Sequence, residues 1–171
     1  MIVGSVISVL ASAWVAGQML VGWVDVYTEI EVDAPKERVW AAISDFDAYA
    51  SWNPLMIEVR GKAEAGQRMD WTSRIAGADR PYDAKIDKAE PYRELSWTGP
   101  ISSLGRVLFW GTHSLIVEEL GPRRVRFINK ERFGGLMSIP YGSFLRTGVR
   151  DAYDRMNAAV KLRAEQLARA Q

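Results

Sequence analysis

The sequence predicts an α+β domain of the helix-grip type, in which an antiparallel sheet packs against one long C-terminal helix. Three observations predict this fold. A period-two alternation opens the charged part of the chain, several strand-like segments separated by Gly and Pro follow, and an amphipathic helical pattern ends it. An apolar segment comes first, so we predict one transmembrane helix over residues 1–24 and one helix-grip domain over residues 25–171.

The composition of the 171-residue chain excludes several functional classes. Its 22 Lys and Arg residues balance 21 Asp and Glu residues, and a net charge of +1 argues against a strongly basic nucleic-acid-binding protein. The absence of Cys excludes disulfides, thiolate nucleophiles and thiolate zinc sites. His113 is the single His, and the chain contains no phosphate-binding, dinucleotide-binding or HExxH motif. We therefore predict no metal, no cofactor and no nucleic-acid partner.

Residues 1–24 contain no Lys, Arg, Asp or Glu. A run of about 20 apolar residues is enough to cross the hydrocarbon core of a bilayer, so the segment predicts a single-pass membrane anchor. Trp23 lies where an interfacial aromatic residue is expected. Small residues recur four positions apart and would let another membrane helix approach closely. They are Gly4, Ser8 and Ser12 in one series, and Ala13 and Gly17 in another.

Two other interpretations of residues 1–24 stay open, a cleaved signal peptide and a helix buried in a globular core. Ala11-Ser12-Ala13 fits a cleavage site, but the basic start of a signal peptide is missing. The first basic residues, Lys36 and Arg38, follow the segment. The positive-inside rule therefore favours a membrane protein whose soluble domain is cytoplasmic.

The domain is expected to begin with a strand over residues 24–32, where apolar and polar side chains alternate. Pro35 then starts a short helix, and Asn53-Pro54 closes a second short helical segment. Gly and Pro residues divide the next part of the chain into antiparallel hairpins. The six strands expected there cover residues 55–60, 67–75, 82–89, 94–98, 106–120 and 123–133.

After Pro140 the hydrophobic period becomes that of a helix. Apolar side chains recur on one side and most charged side chains fall on the other, which predicts a long amphipathic helix covering the apolar face of the sheet. The apolar positions are Leu145, Val149, Ala152, Tyr153, Met156, Val160 and Leu167.

Several short motifs accompany this order of elements. They are EVDAPKERVW at residues 31–40, DFDAY at 45–49, WNP at 52–54, WGTHSL at 110–115 and ERFGG at 131–135. With these motifs, residues 26–168 resemble the SRPBCC, or START-like, superfamily and in particular its polyketide cyclase/dehydrase or lipid-transport-like group. The resemblance implies a curved sheet around a deep apolar cavity. It leaves the activity open, since the superfamily includes carriers, cyclases and hydrolases.

Alternation along the strands predicts which side chains face this cavity. On the last strand the inner face is expected to carry Val125, Phe127, Asn129, Glu131 and Phe133. The register that places Leu115 opposite Phe127 places His113 opposite Asn129. An isolated buried carboxylate is costly, so Glu131 needs a partner or a proton. We therefore expect His113, Asn129 and Glu131 to form a polar cluster inside an apolar pocket.

Aromatic side chains and one thioether complete the predicted ligand-binding wall. They are Trp71, Trp97, Phe109, Phe127, Tyr153 and Met156. Such a wall suits a flat apolar ligand, and the same side chains would suit a filled core equally well.

Three functional hypotheses follow. The first is a membrane-anchored, non-catalytic protein that binds a hydrophobic molecule such as a lipid, quinone, isoprenoid or polyketide-like compound. The second is an accessory subunit of an integral membrane protein complex. The third is a cyclase or dehydratase that uses His113 and Glu131 as an acid–base pair. We favour binding, with no residue assigned as catalytic, because few polar side chains are available for chemistry.

Overall fold

The computed structural model describes residues 23–170. Its seven strands form one antiparallel sheet in the order β1-β7-β6-β5-β4-β3-β2. The strands are β1 (Val24–Val32), β2 (Met56–Arg60), β3 (Arg68–Ile75), β4 (Ala78–Glu90), β5 (Glu94–Gly99), β6 (Trp110–Gly121) and β7 (Arg124–Gly134). The helices are α1 (Lys36–Ser44), α2 (Ser103–Leu108) and α3 (Arg150–Arg169), with a 3₁₀ helix over Phe46–Ser51. This arrangement confirms the predicted helix-grip fold.

The core lies between the concave face of the sheet and α3. Alternate side chains of β1 point into it, and Val24, Val26 and Val32 are almost fully buried. From the other side, α3 contributes the buried Met156 and Val160, as its helical period predicts. The fold thus places the inner faces of the strands against one side of α3.

The predicted membrane segment lies outside the described residues except at its last positions. Gly4, Ser8, Ala13 and Gly17 all belong to that outside part, and β1 already begins at Val24. Trp23 is 58% exposed, with the Arg132 guanidinium 5.0 Å from its ring centroid. Within residues 23–170, no helix is both long and apolar enough to cross a bilayer.

One predicted strand begins too early. Residues 106–109 were expected to open it, but they lie in and just after α2, and β6 starts at Trp110. The Ser102 hydroxyl caps this short helix by accepting a hydrogen bond from the Gly105 amide at 3.0 Å. The sequence did not reveal this helix, because six residues are too few to show a helical hydrophobic period.

The predicted register between β6 and β7 is wrong by two residues. His113 lies opposite Glu131 and Leu115 lies opposite Asn129. A shift of two residues keeps every side chain on the same face of the sheet, so burial alone could not distinguish the two registers. The pairing is also irregular between Glu119 and Gly121, close to the hairpin turn, so the position of the turn in the sequence does not give the register directly.

The long helical pattern is interrupted near its start. Residues Gly142–Phe144 form one α-helical turn, Leu145–Val149 form a π-helical turn, and α3 follows directly. Both Leu145 and Val149 are buried. The wider π turn therefore keeps both side chains directed toward the sheet.

Candidate functional site

A cavity of about 850 Å³ lies between the concave face of the sheet and the segment leading into α3. Six of the nine side chains predicted for its wall do line it: Trp71, Trp97, Phe109, His113, Glu131 and Tyr153. The other three, Phe127, Asn129 and Met156, are fully buried and lie behind the cavity wall. The interior is therefore open rather than filled, which the sequence could not decide.

Aromatic pairs shape the walls of the cavity. Trp71 stacks on Tyr82 with ring centroids 5.4 Å apart and meets Trp97 edge-on at 6.3 Å. Phe109 stacks on Phe133 at 5.5 Å. These flat, nearly rigid surfaces suit the faces of a planar ligand.

Sequence reasoning missed several lining residues. Phe133 was expected on the inner face of its strand but not in the predicted wall. Tyr82 has the same strand parity as the buried Ile86, so its inward direction could also have been predicted. Met137, Tyr141 and Phe144 also line the cavity but belong to the segment between β7 and α3. Such a segment has no period from which an inward direction can be read.

The structure brings His113, Asn129 and Glu131 together in one polar cluster, which Tyr153, Asn157 and Thr28 extend. The Nδ1 atom of His113 lies 3.3 Å from the Glu131 carboxyl group, and its Nε2 atom lies 2.6 Å from Asn129 Oδ1. The Tyr153 hydroxyl donates a hydrogen bond to Glu131. The His113 ring lies between two aromatic rings. Its centroid is 4.6 Å from the centroid of the Trp97 ring and 4.8 Å from that of the Tyr153 ring.

Hydrogen-bond directions fix the tautomer of His113. The Thr28 hydroxyl donates to the Asn129 backbone carbonyl at 3.3 Å, because a carbonyl can only accept. Asn157 Nδ2 then donates to Thr28 at 2.8 Å, and Asn129 Nδ2 donates to Asn157 Oδ1 at 3.0 Å. The side-chain oxygen of Asn129, Oδ1, can only accept, so the Nε2 atom of His113 must be the donor to it. His113 therefore carries its proton on Nε2 and turns the Nδ1 lone pair toward Glu131.

Burial keeps both members of the His113–Glu131 pair uncharged at neutral pH. Desolvation lowers the pKa of His113 to about 4, against the opposing effect of the Asn129 hydrogen bond. Desolvation raises the pKa of Glu131 to about 8, although the Tyr153 hydrogen bond acts in the other direction. A carboxylic acid therefore faces an unprotonated imidazole nitrogen. The inner wall of the cavity is polar without carrying a charge.

A glycine makes room for Glu131 on the neighbouring strand. A Cβ atom at Gly111 would collide with the Glu131 carboxyl group. Gly111 pairs with Phe133 and lies on β6 next to the β7 position of Glu131. The missing side chain thus lets the carboxyl group lie across β6 toward His113 and the cavity.

The structure also bears on metal binding. Among residues 23–170, no group of three or more His, Asp and Glu side chains is arranged to hold a metal ion.

Known structures share this fold at low sequence identity. The Zhui aromatase/cyclase from Streptomyces sp. R1128 is 18% identical with a TM-score of 0.71, and the match covers 85% of this chain and 95% of that one. A START superfamily protein from Mycobacterium smegmatis is 18% identical with a TM-score of 0.70, covering 85% and 99%. Norcoclaurine synthase from Thalictrum flavum is 11% identical with a TM-score of 0.67, covering 90% and 91%.

The family described as "Polyketide cyclase / dehydrase and lipid transport" matches residues 24–165. No curated protein sequence matches the chain significantly. The family match spans most of the chain and coincides with the helix-grip domain, so the resemblance seen in the short motifs holds over the whole fold. This chain belongs to the polyketide cyclase/dehydrase and lipid transport family.

Proposed function

We propose that the protein binds a hydrophobic small molecule in the cavity between the sheet and the helical segment. The open volume of about 850 Å³ carries this proposal. Ligand cavities in proteins measure roughly 300–1,000 Å³ and combine apolar walls with a few polar groups. A cavity of this size with aromatic walls stabilises the protein less than a filled core would, which favours a role in binding.

The side chains that line the cavity favour a planar, uncharged ligand. The rings of Trp71, Tyr82 and Trp97 offer faces and edges for stacking. At the inner wall, the protonated Glu131 can donate to a carbonyl or hydroxyl oxygen of the ligand. The Tyr153 hydroxyl donates its proton to Glu131, so its oxygen can accept a hydrogen bond from a ligand hydroxyl. A quinone or a polyketide-like aromatic compound has this chemistry, and similarity to an aromatase/cyclase fold supports the second class.

Direct binding of a fluorescent probe tests whether the cavity takes up an apolar molecule. The uncharged dye N-phenyl-1-naphthylamine should bind the full-length protein with increased fluorescence and saturate at one site. Val149 lines the cavity, so Val149→Phe should fill part of it and weaken binding at least about tenfold. Leu162→Phe, at an exposed position on α3, is the matched control and should leave binding unchanged. Equal dye binding by both variants would mean that the dye does not bind in the cavity, and this result would contradict the proposal.

Catalysis as a cyclase or dehydratase is the second candidate, and one observation favours it. The acid Glu131 and the unprotonated Nδ1 of His113 face each other at the cavity wall. In the dehydration of a β-hydroxy ketone, His113 would take the proton from the α-carbon. Glu131 would protonate the departing hydroxyl, so the C–O bond breaks, water leaves and a C=C bond forms.

Glu131→Gln separates binding from catalysis. Gln keeps one donor and one acceptor in place of the protonated carboxyl group, so dye binding should persist. The probe for catalysis is 4-hydroxy-4-phenylbutan-2-one, whose dehydration product absorbs in the near ultraviolet. Turnover by the wild type that disappears in Glu131→Gln would establish the enzyme. Turnover that is equal in both proteins would exclude Glu131 as the acid.

Membrane anchoring through residues 1–24, with a cytoplasmic domain, stays a prediction from the sequence. Extraction of cell membranes with alkaline carbonate tests it, because a spanning helix resists extraction. The accessory-subunit hypothesis predicts co-migration with a larger complex on native gels. Replacing Gly4, Ala13 and Gly17 by Leu should abolish that co-migration by blocking close helix packing.

A further inference from the structure

Exposed apolar side chains surround one side of the cavity mouth. They belong to two segments of the chain, residues 101–108 with α2 and residues 136–144 between β7 and the π-helical turn. Their exposure ranges from 44% to 74%, although all are large hydrophobic residues. We call this surface the apolar rim; it consists of Leu104, Leu108, Leu136, Ile139, Tyr141 and Phe144.

Backbone hydrogen bonds join the two segments into one surface. The Leu136 amide donates to the Val107 carbonyl at 3.1 Å, and the Met137 amide donates to the Leu108 carbonyl at 2.9 Å. Tyr141 and Phe144 are half exposed and also line the cavity, so they mark where it opens to solvent. The rim is therefore a preformed feature of the cavity mouth rather than scattered surface residues.

The charged side chains within these two segments are all positive. Residues 99–117 and 133–149 contain no Asp or Glu, and Arg106 and Arg146 are the only Lys or Arg residues in these ranges. Both Arg side chains are exposed. The Asp83 carboxyl group of β4 reaches the first of these segments, where it accepts a hydrogen bond from the Ile101 amide at 3.4 Å. Within the two segments themselves, apolar side chains flanked by Arg match the interface of a bilayer that carries anionic headgroups.

The apolar start of the chain joins the domain at this same end. Val24, the first residue of β1, pairs with Phe133, directly before the segment that carries Leu136 and Ile139. Gly142, within that segment, packs against Val24: a Cβ atom there would lie 3.6 Å from the Val24 side chain. Residues 1–22 lie outside the described structure, contain no charged side chain and lead into β1 beside the rim.

We propose that the apolar rim docks on the surface of a lipid bilayer with anionic headgroups, so that the cavity mouth faces the membrane. The rim side chains enter the boundary between headgroups and acyl chains, and Arg106 and Arg146 contact lipid phosphates. An apolar ligand then passes between membrane and cavity without crossing water. This orientation goes beyond ligand binding, since a cavity can bind a ligand without facing a membrane.

Single-cysteine labelling of the full-length protein tests the orientation. The chain contains no Cys, so each introduced Cys carries the only label. Leu104→Cys and Ile139→Cys report on the rim. Leu120→Cys, near the opposite end of β6, and Leu162→Cys, on the exposed side of α3, are matched controls because each also replaces an exposed Leu or Ile. Each variant is labelled with the dye NBD and reconstituted into phosphatidylcholine/phosphatidylglycerol vesicles.

The expected result is a difference between the rim and the control positions. NBD at residues 104 and 139 should shift to shorter wavelength and be quenched by nitroxide-labelled lipid at least about twofold more than NBD at residues 120 and 162. Equal quenching at all four positions would overturn the proposal, even if residues 1–24 anchor the protein.

Two other outcomes would also overturn it, because they identify another occupant of the rim. Shielding of the rim label without vesicles, independent of protein concentration, would mean that residues 1–22 cover it. Shielding that grows with protein concentration would mean that a second copy covers it. Binding of N-phenyl-1-naphthylamine to the same variants is measured in a separate experiment. A loss of ligand binding can therefore be distinguished from a loss of membrane docking.

Discussion

Glu131 and His113 contribute to stability with opposite dependence on pH. Burial raises the pKa of Glu131 from 4.5 to about 8, so between these values the folded chain holds a proton that the unfolded chain has lost, and stability falls as pH rises. Burial lowers the pKa of His113 from 6.5 to about 4, so its contribution is lost as pH falls through that range. The two effects offset each other between pH 4.5 and 6.5.

The first prediction concerns stability above pH 6.5. In that range the His113 ring is neutral in both the folded and the unfolded chain, so of the two groups only Glu131 makes stability depend on pH. Between pH 6.5 and 8, the free energy of unfolding should decrease by about 1.4 kcal/mol per pH unit, the slope for one proton. Glu131→Gln removes the titrating group and should flatten this slope. Urea unfolding at several pH values measures it. The exposed Glu58→Gln is the control and should retain the wild-type slope; a slope that persists in Glu131→Gln would refute the assignment.

The second prediction concerns the His113 imidazole, and it follows from the hydrogen bonds through Asn129, Asn157 and Thr28. Nitrogen NMR of the protein should show one neutral imidazole with its proton on Nε2 from pH 6 to pH 8, since the pKa of His113 is about 4. His113 is the single His in the chain, so the signal needs no assignment. A positively charged ring at pH 6, or a proton on Nδ1, would contradict the described network.

At the scale of elements, β6 and β7 show how far a sequence can be interpreted. The inward faces of both strands were predictable, because alternation along a strand fixes the face of every side chain. The contact between His113 and Asn129 was predicted from a register that is wrong, and it forms nonetheless because both side chains face inward on adjacent strands. The register was not predictable, because two registers that differ by two residues leave the same side chains facing inward, and the pairing is irregular near Gly121.

The third prediction uses two glycines on β6. Gly111→Ala should destabilise the protein by about 1–3 kcal/mol and weaken dye binding, because the new Cβ would collide with the Glu131 carboxyl group. Gly121→Ala is the matched control: it lies on the same strand, and a Cβ there meets nothing within 4 Å. Thermal unfolding and dye titration measure both effects. Equal behaviour of the two variants would show that Glu131 does not need the space above Gly111.

At the scale of the whole molecule, the helix-grip fold was predictable but the cavity was not. The order of elements followed from hydrophobic periods and from Gly and Pro positions. The open volume depends on sheet curvature and on side chains such as Met137 and Phe144, which come from a segment without periodicity. Filled and open cores use the same inward residues, so composition and strand parity cannot separate them.

Native mass spectrometry of the full-length protein, extracted in mild detergent, tests the central claim that the cavity holds an apolar ligand. We expect a mass excess corresponding to one bound small molecule, which disappears on denaturation and is identified in the released extract. Val149→Phe, which occupies part of the cavity, should lack this excess, whereas Leu162→Phe should retain it. A wild-type protein with no bound molecule that also fails to take up N-phenyl-1-naphthylamine would contradict the account.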